Sequence, residues 1–156
     1  MKDVLISITG IQHAPGELPL SNEDNTIQLV TDGSYQFGDG NCWFSYKESP
    51  LTGMEGTTTT FLVKDGLVTM VRKGSVNGEM KFQKGERHCF LYNTPFGAMT
   101  MGIRTQRLKT NLDEHGGSMD ITYTVDMNEI PLGKNVFQID VKEKEVPESD
   151  KGEENP

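Results

Sequence analysis

Helix-forming residues are scarce in this chain, which holds two alanines, Ala14 and Ala98, against 15 threonines. Alanine is the best helix former, whereas threonine, branched at Cβ, suits a strand. No window of about 11 residues sustains a 3.6-residue apolar period, so a helical bundle is excluded. Long apolar runs are missing as well. Nowhere do about 18 apolar residues follow one another, and Met1-Lys2-Asp3-Val4 opens a strand-like run with no separate hydrophobic segment or small-residue cleavage site. Neither a membrane span nor an export signal is expected. The two cysteines, Cys42 and Cys89, are far apart and form no C-x-x-C pair. Although His88 adjoins Cys89, no histidine pair completes a zinc site, and two buried thiols in a reducing cytoplasm are expected.

Basic charge is also in deficit. Fifteen Lys and Arg against 23 Asp and Glu give a net charge of -8, which repels phosphate backbones, and no basic stripe with interleaved aromatics is present. Nucleic acid is not an expected partner. Half of the net charge lies in residues 143–156, where six acids face two lysines. That segment contains Pro147 and Pro156, has no apolar face and reads as a fraying acidic tail.

What is abundant is alternation. Val4, Ile6 and Ile8 alternate in the first run, Cys42, Phe44 and Tyr46 in another, and Met119, Ile121, Tyr123, Val125 and Met127 in the longest. Phe137, Ile139 and Val141 end the pattern. Alternation with a period of two marks half-buried strands. Asp39-Gly40, Asp65-Gly66 and Asn77-Gly78 are hairpin signals, because such pairs accept the positive φ that matches strand twist. Lys84-Gly85-Glu86 and Thr94-Pro95-Phe96-Gly97 are further turns, and Asp113-Glu114-His115-Gly116-Gly117 is a wider loop. Residues 12 to 25 form a loop with room for one helical turn. Tight turns join neighbouring strands, and an open meander would expose two long edges, so closure is favoured. At 156 residues the chain suits one domain, able to remove roughly 68–70% of its unfolded surface from water. The expected fold is all-β: a single antiparallel, mostly up-and-down meander barrel of about eight to ten strands over residues 1–142.

Several phrases carry a resemblance. Asp3-Val4-Leu5-Ile6-Ser7-Ile8, Leu51-Thr52-Gly53-Met54-Glu55-Gly56-Thr57-Thr58-Thr59-Thr60, Arg72-Lys73-Gly74, Gly85-Glu86-Arg87-His88, Tyr92-Asn93-Thr94-Pro95-Phe96-Gly97 and the Asp113 to Gly117 loop together resemble the YwiB-like family of bacterial proteins. The resemblance spans about residues 1 to 142. It implies a calycin-like β-barrel, related in shape to lipocalins, and no activity, that family being uncharacterised. Trp43 follows Gly40-Asn41-Cys42 on about the third strand, so the G-x-W phrase of the lipocalin first strand is not reproduced.

The stronger catalytic patterns are absent. Gly74-Ser75-Val76-Asn77-Gly78 places its serine one position too early for a nucleophile elbow. Gly38-Asp39-Gly40 opens like a dinucleotide fingerprint, but Trp43 stands at the third glycine position and no helix follows. There is no P-loop lysine, and no cofactor is expected. His13, His88 and His115 lie in separate contexts, so no metal site is expected either. Asp113, Glu114 and His115 are the densest ligand-like group, best read as a solvated hairpin.

A better constellation lies on the strands. Glu48 shares a face with Tyr46 and Phe44, Arg72 with Val68 and Met70, and His88 with Phe90 and Tyr92. An inward Glu or Arg must be paired or reach water, since burial alone costs several kcal/mol. Two readings stay open: a pocket of Tyr46, Glu48, Arg72, His88 and Tyr92 for an anionic headgroup, or an ordinary ion pair whose side chains snorkel out at strand ends. Seven methionines, Met54, Met70, Met80, Met99, Met101, Met119 and Met127, either fill a tapered core or line an adaptable cavity. The leading functional expectation is a noncatalytic cytoplasmic barrel that binds a small anionic or amphipathic ligand. The alternative is a protein-interaction module using the barrel surface and acidic tail. An enzyme with His88 as general base beside Tyr92 and Arg72 ranks third.

Overall fold

The computed structural model describes residues 1–13, 26–50, 54–94 and 97–144, with the backbone alone for residues 13 and 92–94. These residues form one antiparallel sheet of ten strands: β1 (Lys2–His13), β2 (Thr26–Gly38), β3 (Asn41–Lys47), β4 (Thr57–Lys64), β5 (Leu67–Gly74), β6 (Gly78–Gln83), β7 (Arg87–Thr94), β8 (Gly97–Asp113), β9 (Gly116–Met127) and β10 (Ile130–Glu143). Their order is β6-β5-β4-β3-β2-β1-β10-β9-β8-β7. It is an unbroken meander whose first and last strands pair, Ile8 opposite Ile139. The sheet curls into a nearly closed barrel. Its seam falls between β6 and β7, which adjoin in sequence but share no ladder.

The seam explains what Lys84-Gly85-Glu86 does. It turns as expected, the Glu86 N–H donating to the Gln83 carbonyl at 2.9 Å, but the strands it joins share no ladder and it reaches across to β8: the Gly85 N–H donates to the Thr105 carbonyl at 2.9 Å and the Thr105 N–H to that of Glu86 at 3.3 Å. Register slips at this point in β8, between Thr105 and Arg107 opposite β9. Such a bulge bends its strand and aims following side chains to the other face. The buried set accordingly changes from Ile103 and Thr105 to the half-buried Leu108 and Leu112.

Other turns follow their chemistry. Asp39-Gly40 (φ 53° and 76°) and Asp65-Gly66 (φ 50° and 76°) hold the left-handed angles of two-residue hairpins. Asn77-Gly78 works differently: the Asn77 amide brackets Gly74, accepting its N–H at 3.2 Å and donating to its carbonyl at 2.8 Å. The loop at Glu114-His115 is tighter than expected, since Asp113 already pairs with Gly116. One turn without a glycine signal, Asn128-Glu129 (φ 52° and 67°), joins β9 to β10. The Glu129 N–H donates to Asp126 there at 3.0 Å. The expected loop of residues 12–25 starts later, since Gln12 and His13 still pair with β10, and residues 14–25 lie outside the described residues. The expected tail likewise starts later than residue 143, since Glu143 pairs with Val4 and the Lys144 N–H donates to the Asp3 carbonyl at 3.3 Å, and residues 145–156 lie outside the described residues.

Because strands alternate in direction, the barrel has two ends. The hairpins at 39–40, 65–66, 84–86 and 114–115 crowd one end, and here the interior is solid. Tyr35, Phe44, Phe61, Phe82, Met119, Ile121 and Val141 are almost fully buried. Phe44 stacks on Phe61 at 5.0 Å, and the Tyr35 hydroxyl donates to the Asp113 carbonyl at 2.6 Å. Cys42 is buried as expected, but Cys89 is exposed. On β7, Cys89 shares the outer face with the exposed Leu91. Arg87 packs beside it and forms a two-pronged pair with Asp126 at 2.6 and 3.1 Å.

Candidate functional site

At the other end the inward row turns polar. The Asp65-Gly66 turn fixes β4 against β5 so that Thr59 sits opposite Arg72, and β3 places Tyr46 opposite Thr59. Glu48 follows just beyond β3, held in line by its N–H donating to the Thr57 carbonyl at 2.8 Å. On the far wall Tyr123 of β9 stands opposite Asn135 of β10. Two cavities open around these residues. One, of about 230 Å³, lies among Ile8, Leu29, Tyr46, Glu48, Arg72 and Phe137. The other, of about 540 Å³, lies among Met70, Arg72, Met80, Phe90, Met101 and Val125. Arg72, Tyr123 and Asn135 border both.

The Glu48 side chain is 1% exposed and that of Arg72 20%. The Thr59 hydroxyl donates to Glu48 Oε2. Burial, the adjacent Glu48 charge and a hydrogen bond to that carboxylate push the Tyr46 phenol up, against the opposing Arg72 charge. Burial likewise pushes Tyr123 up to about 12, opposed by Arg72 and by its hydrogen bond with Asn135. Both phenols are therefore neutral at physiological pH. Arg72 is the exception to this tidy accounting. Its Nε stands 4.0 Å from Glu48 Oε2, too far for a hydrogen bond, and is buried with no hydrogen-bond partner among the described residues. A guanidinium offers five donors in a planar fork suited to a carboxylate or phosphate.

Of the residues singled out from sequence, Tyr46, Glu48 and Arg72 thus meet at one cavity. His88 does not join them: its Nε2 lies 3.1 Å from Gln83 Oε1 across the closed end of the seam, and it lines neither cavity. The general-base arrangement beside Arg72 has no such geometry. Tyr92 lies on β7, and its side chain is outside the described residues. Thr59, Tyr123 and Asn135 are additions. Among the described residues no three His, Cys, Asp or Glu side chains cluster to hold a metal ion. Asp113 accepts the His115 N–H at 2.8 Å, and the His115 ring contacts Glu143 at 3.0 Å. Among the described residues no helix is long and apolar enough to cross a membrane.

Fold and cavities together define a small up-and-down β-barrel, packed at one end and hollow at the other. The chain belongs to the family described as a domain of unknown function (DUF1934), whose model matches residues 6–139. A curated relative, the uncharacterized beta-barrel protein YwiB of Bacillus subtilis (strain 168), is 25% identical over 111 residues, covering 71% of this chain and 77% of the relative. The crystal structure of the ywiB protein from Bacillus subtilis shares the fold, with a TM-score of 0.76 over 92% of this chain and 93% of that one at 20% identity.

Proposed function

We propose that this chain is a noncatalytic binding barrel that holds a small anionic or amphipathic molecule at its hollow end. The observation that carries the reading is Arg72: a guanidinium mostly removed from water, bordering two cavities, with its Nε unsatisfied. A buried donor without a partner costs about 1–3 kcal/mol, more when charged. An anion arriving at the fork removes that cost. Glu48 is committed to Thr59 and Tyr46, so it positions Arg72 without saturating it. Apolar walls around a few polar groups are the usual make-up of a small-molecule site.

Native mass spectrometry of protein purified from its own cell tests the reading. Wild type should retain a molecule that denaturation releases, and Arg72→Met should lose it while keeping its fold. Wild-type protein that carries nothing after gentle isolation overturns the proposal.

A further inference from the structure

The seam between β6 and β7 is shut at one end and open at the other. At the shut end Gly85 and Glu86 bond to Thr105 and His88 meets Gln83. Toward the open end the larger cavity lies between Gly78 to Met80 on one edge and Phe90 and Leu91 on the other. A Cβ added at Gly78 would meet nothing within 4 Å among the described residues, although Gly78 is the register neighbour of Arg72. From Arg72 outward the walls are apolar and adaptable, with Met70, Met80 and Met101 among them. Leu91, at the lip, is 63% exposed.

We infer that this half-open seam takes an amphipathic monocarboxylate, its carboxylate forked on Arg72 and its unbranched apolar chain lying between the edges of β6 and β7. The inference rests on the binding reading above and specifies its ligand. Volume selects the cavity for the chain: about 540 Å³ falls within the roughly 300–1,000 Å³ usual for ligand pockets, and about 230 Å³ falls below it. Charge selects the head. A carboxylate matches the guanidinium fork with two parallel hydrogen bonds. Glu48, whose Oε2 is 4.0 Å from Arg72 Nε, offsets much of the Arg72 charge, so the second charge of a phosphate dianion gains little here over a monoanion. Methionine suits an unbranched chain because its own flexible thioether repacks around it.

The test uses the full chain labelled with ¹³C at the methionine methyls and titrated with dodecanoate, butyrate, dodecanol and dodecyl phosphate. Dodecanoate should move the Met70, Met80 and Met101 signals and leave Met119, in the packed end, in place. Each methylene entering an apolar site contributes roughly a three- to fourfold gain, so dodecanoate should bind at least about a hundredfold tighter than butyrate. Gly78→Leu and Met80→Trp, which fill the seam, should each weaken dodecanoate about tenfold or more and weaken butyrate by much less. Arg72→Met should weaken both carboxylates. If dodecanoate gains nothing over butyrate, or Gly78→Leu and Met80→Trp leave it unchanged, the seam inference fails and the binding barrel stands. Tighter binding of dodecyl phosphate or dodecanol overturns the carboxylate head. Binding by none of the probes overturns the inference, while the barrel reading is decided separately by what the purified protein carries.

Discussion

Replacing threonine with valine at two buried positions should have opposite effects on stability. Thr59 and Thr105 are 0% and 1% exposed, and valine matches threonine in shape, so neither change leaves a cavity of note. The difference is in the hydroxyls. That of Thr59 donates to the buried Glu48 carboxylate, and a hydrogen bond to a charged group contributes about 1.5–3 kcal/mol. Thr59→Val should therefore cost about 2 kcal/mol. The Thr105 hydroxyl has no partner among the described residues, and burying an unpaired hydroxyl costs about 1–3 kcal/mol. Thr105→Val removes that cost and keeps both backbone bonds to Gly85 and Glu86, for an expected gain of about 1 kcal/mol.

In a chain of this size each kcal/mol moves the melting temperature by about 2–4 °C. Calorimetry should then show Thr59→Val melting about 4–8 °C lower and Thr105→Val about 2–4 °C higher than wild type. Urea titrations should shift in midpoint with unchanged slope, since neither variant alters the surface exposed on unfolding. A Glu48→Gln background should shrink the Thr59→Val effect, because the two side chains share one bond. Two valine variants shifted in the same direction, or both within about 0.5 kcal/mol of wild type, would refute the assignment of the two hydroxyls.

Gly33→Ala should destabilise by about 1–3 kcal/mol or more, since its Cβ would meet Ile6 and lie 2.5 Å from the Ser45 carbonyl oxygen, which is backbone. Gly38→Ala, where a Cβ meets nothing within 4 Å, is the control and should stay within about 0.5 kcal/mol in the same urea titration. Alkali should unfold the barrel through its phenols. Burial pushes Tyr123 up to about 12 and raises Tyr35 and Tyr46 as well, so their stabilising effect is complete below the ordinary phenol value of about 10 and is lost as pH rises from there through the folded values. Tyrosinate absorbance from these three should appear together with loss of the far-ultraviolet β signal; ionisation near pH 10 in an intact barrel would contradict their burial.

How much of the site could be read from sequence depends on how each pair of strands is registered. Asp65-Gly66 is a two-residue turn, so Lys64 faces Leu67 and counting back places Thr59 beside Arg72. That contact follows from the turn alone, but threonine suits any strand, so nothing in its identity marks Thr59 as a site residue. Tyr123 and Asn135 were not available in this way. Counting from the Asn128-Glu129 turn puts Lys134 opposite Tyr123, and only the slip between Pro131 and Gly133 corrects this to Asn135. A bulge leaves little trace in sequence beyond a proline that a regular ladder would reject. The same limit hid the switch of faces at Thr105, and with it the second role of the Lys84-Gly85-Glu86 turn as a clasp onto β8. The barrel itself was legible, because alternation and short turns impose a meander whatever the bulges do.

The division of the barrel follows from where alternation keeps to apolar residues and where it breaks. On β5 the inward series runs Val68, Met70, Arg72, and on β4 it runs Val63, Phe61, Thr59, each apolar toward the packed end and polar at the hollow one. On β6 the series Phe82, Met80, Gly78 ends in a residue with no side chain. These breaks coincide in space: the register sets Thr59, Arg72 and Gly78 side by side across three strands. A barrel selected for stability alone would continue the apolar series and close the cavity, since filled space contributes dispersion and burial that open space forfeits. Departures from local consistency that converge on one place are expected at functional or strained sites, which supports the binding reading proposed above. The packed end, with Phe44, Phe61 and Phe82 in its interior, supplies the stability that lets the other end remain hollow.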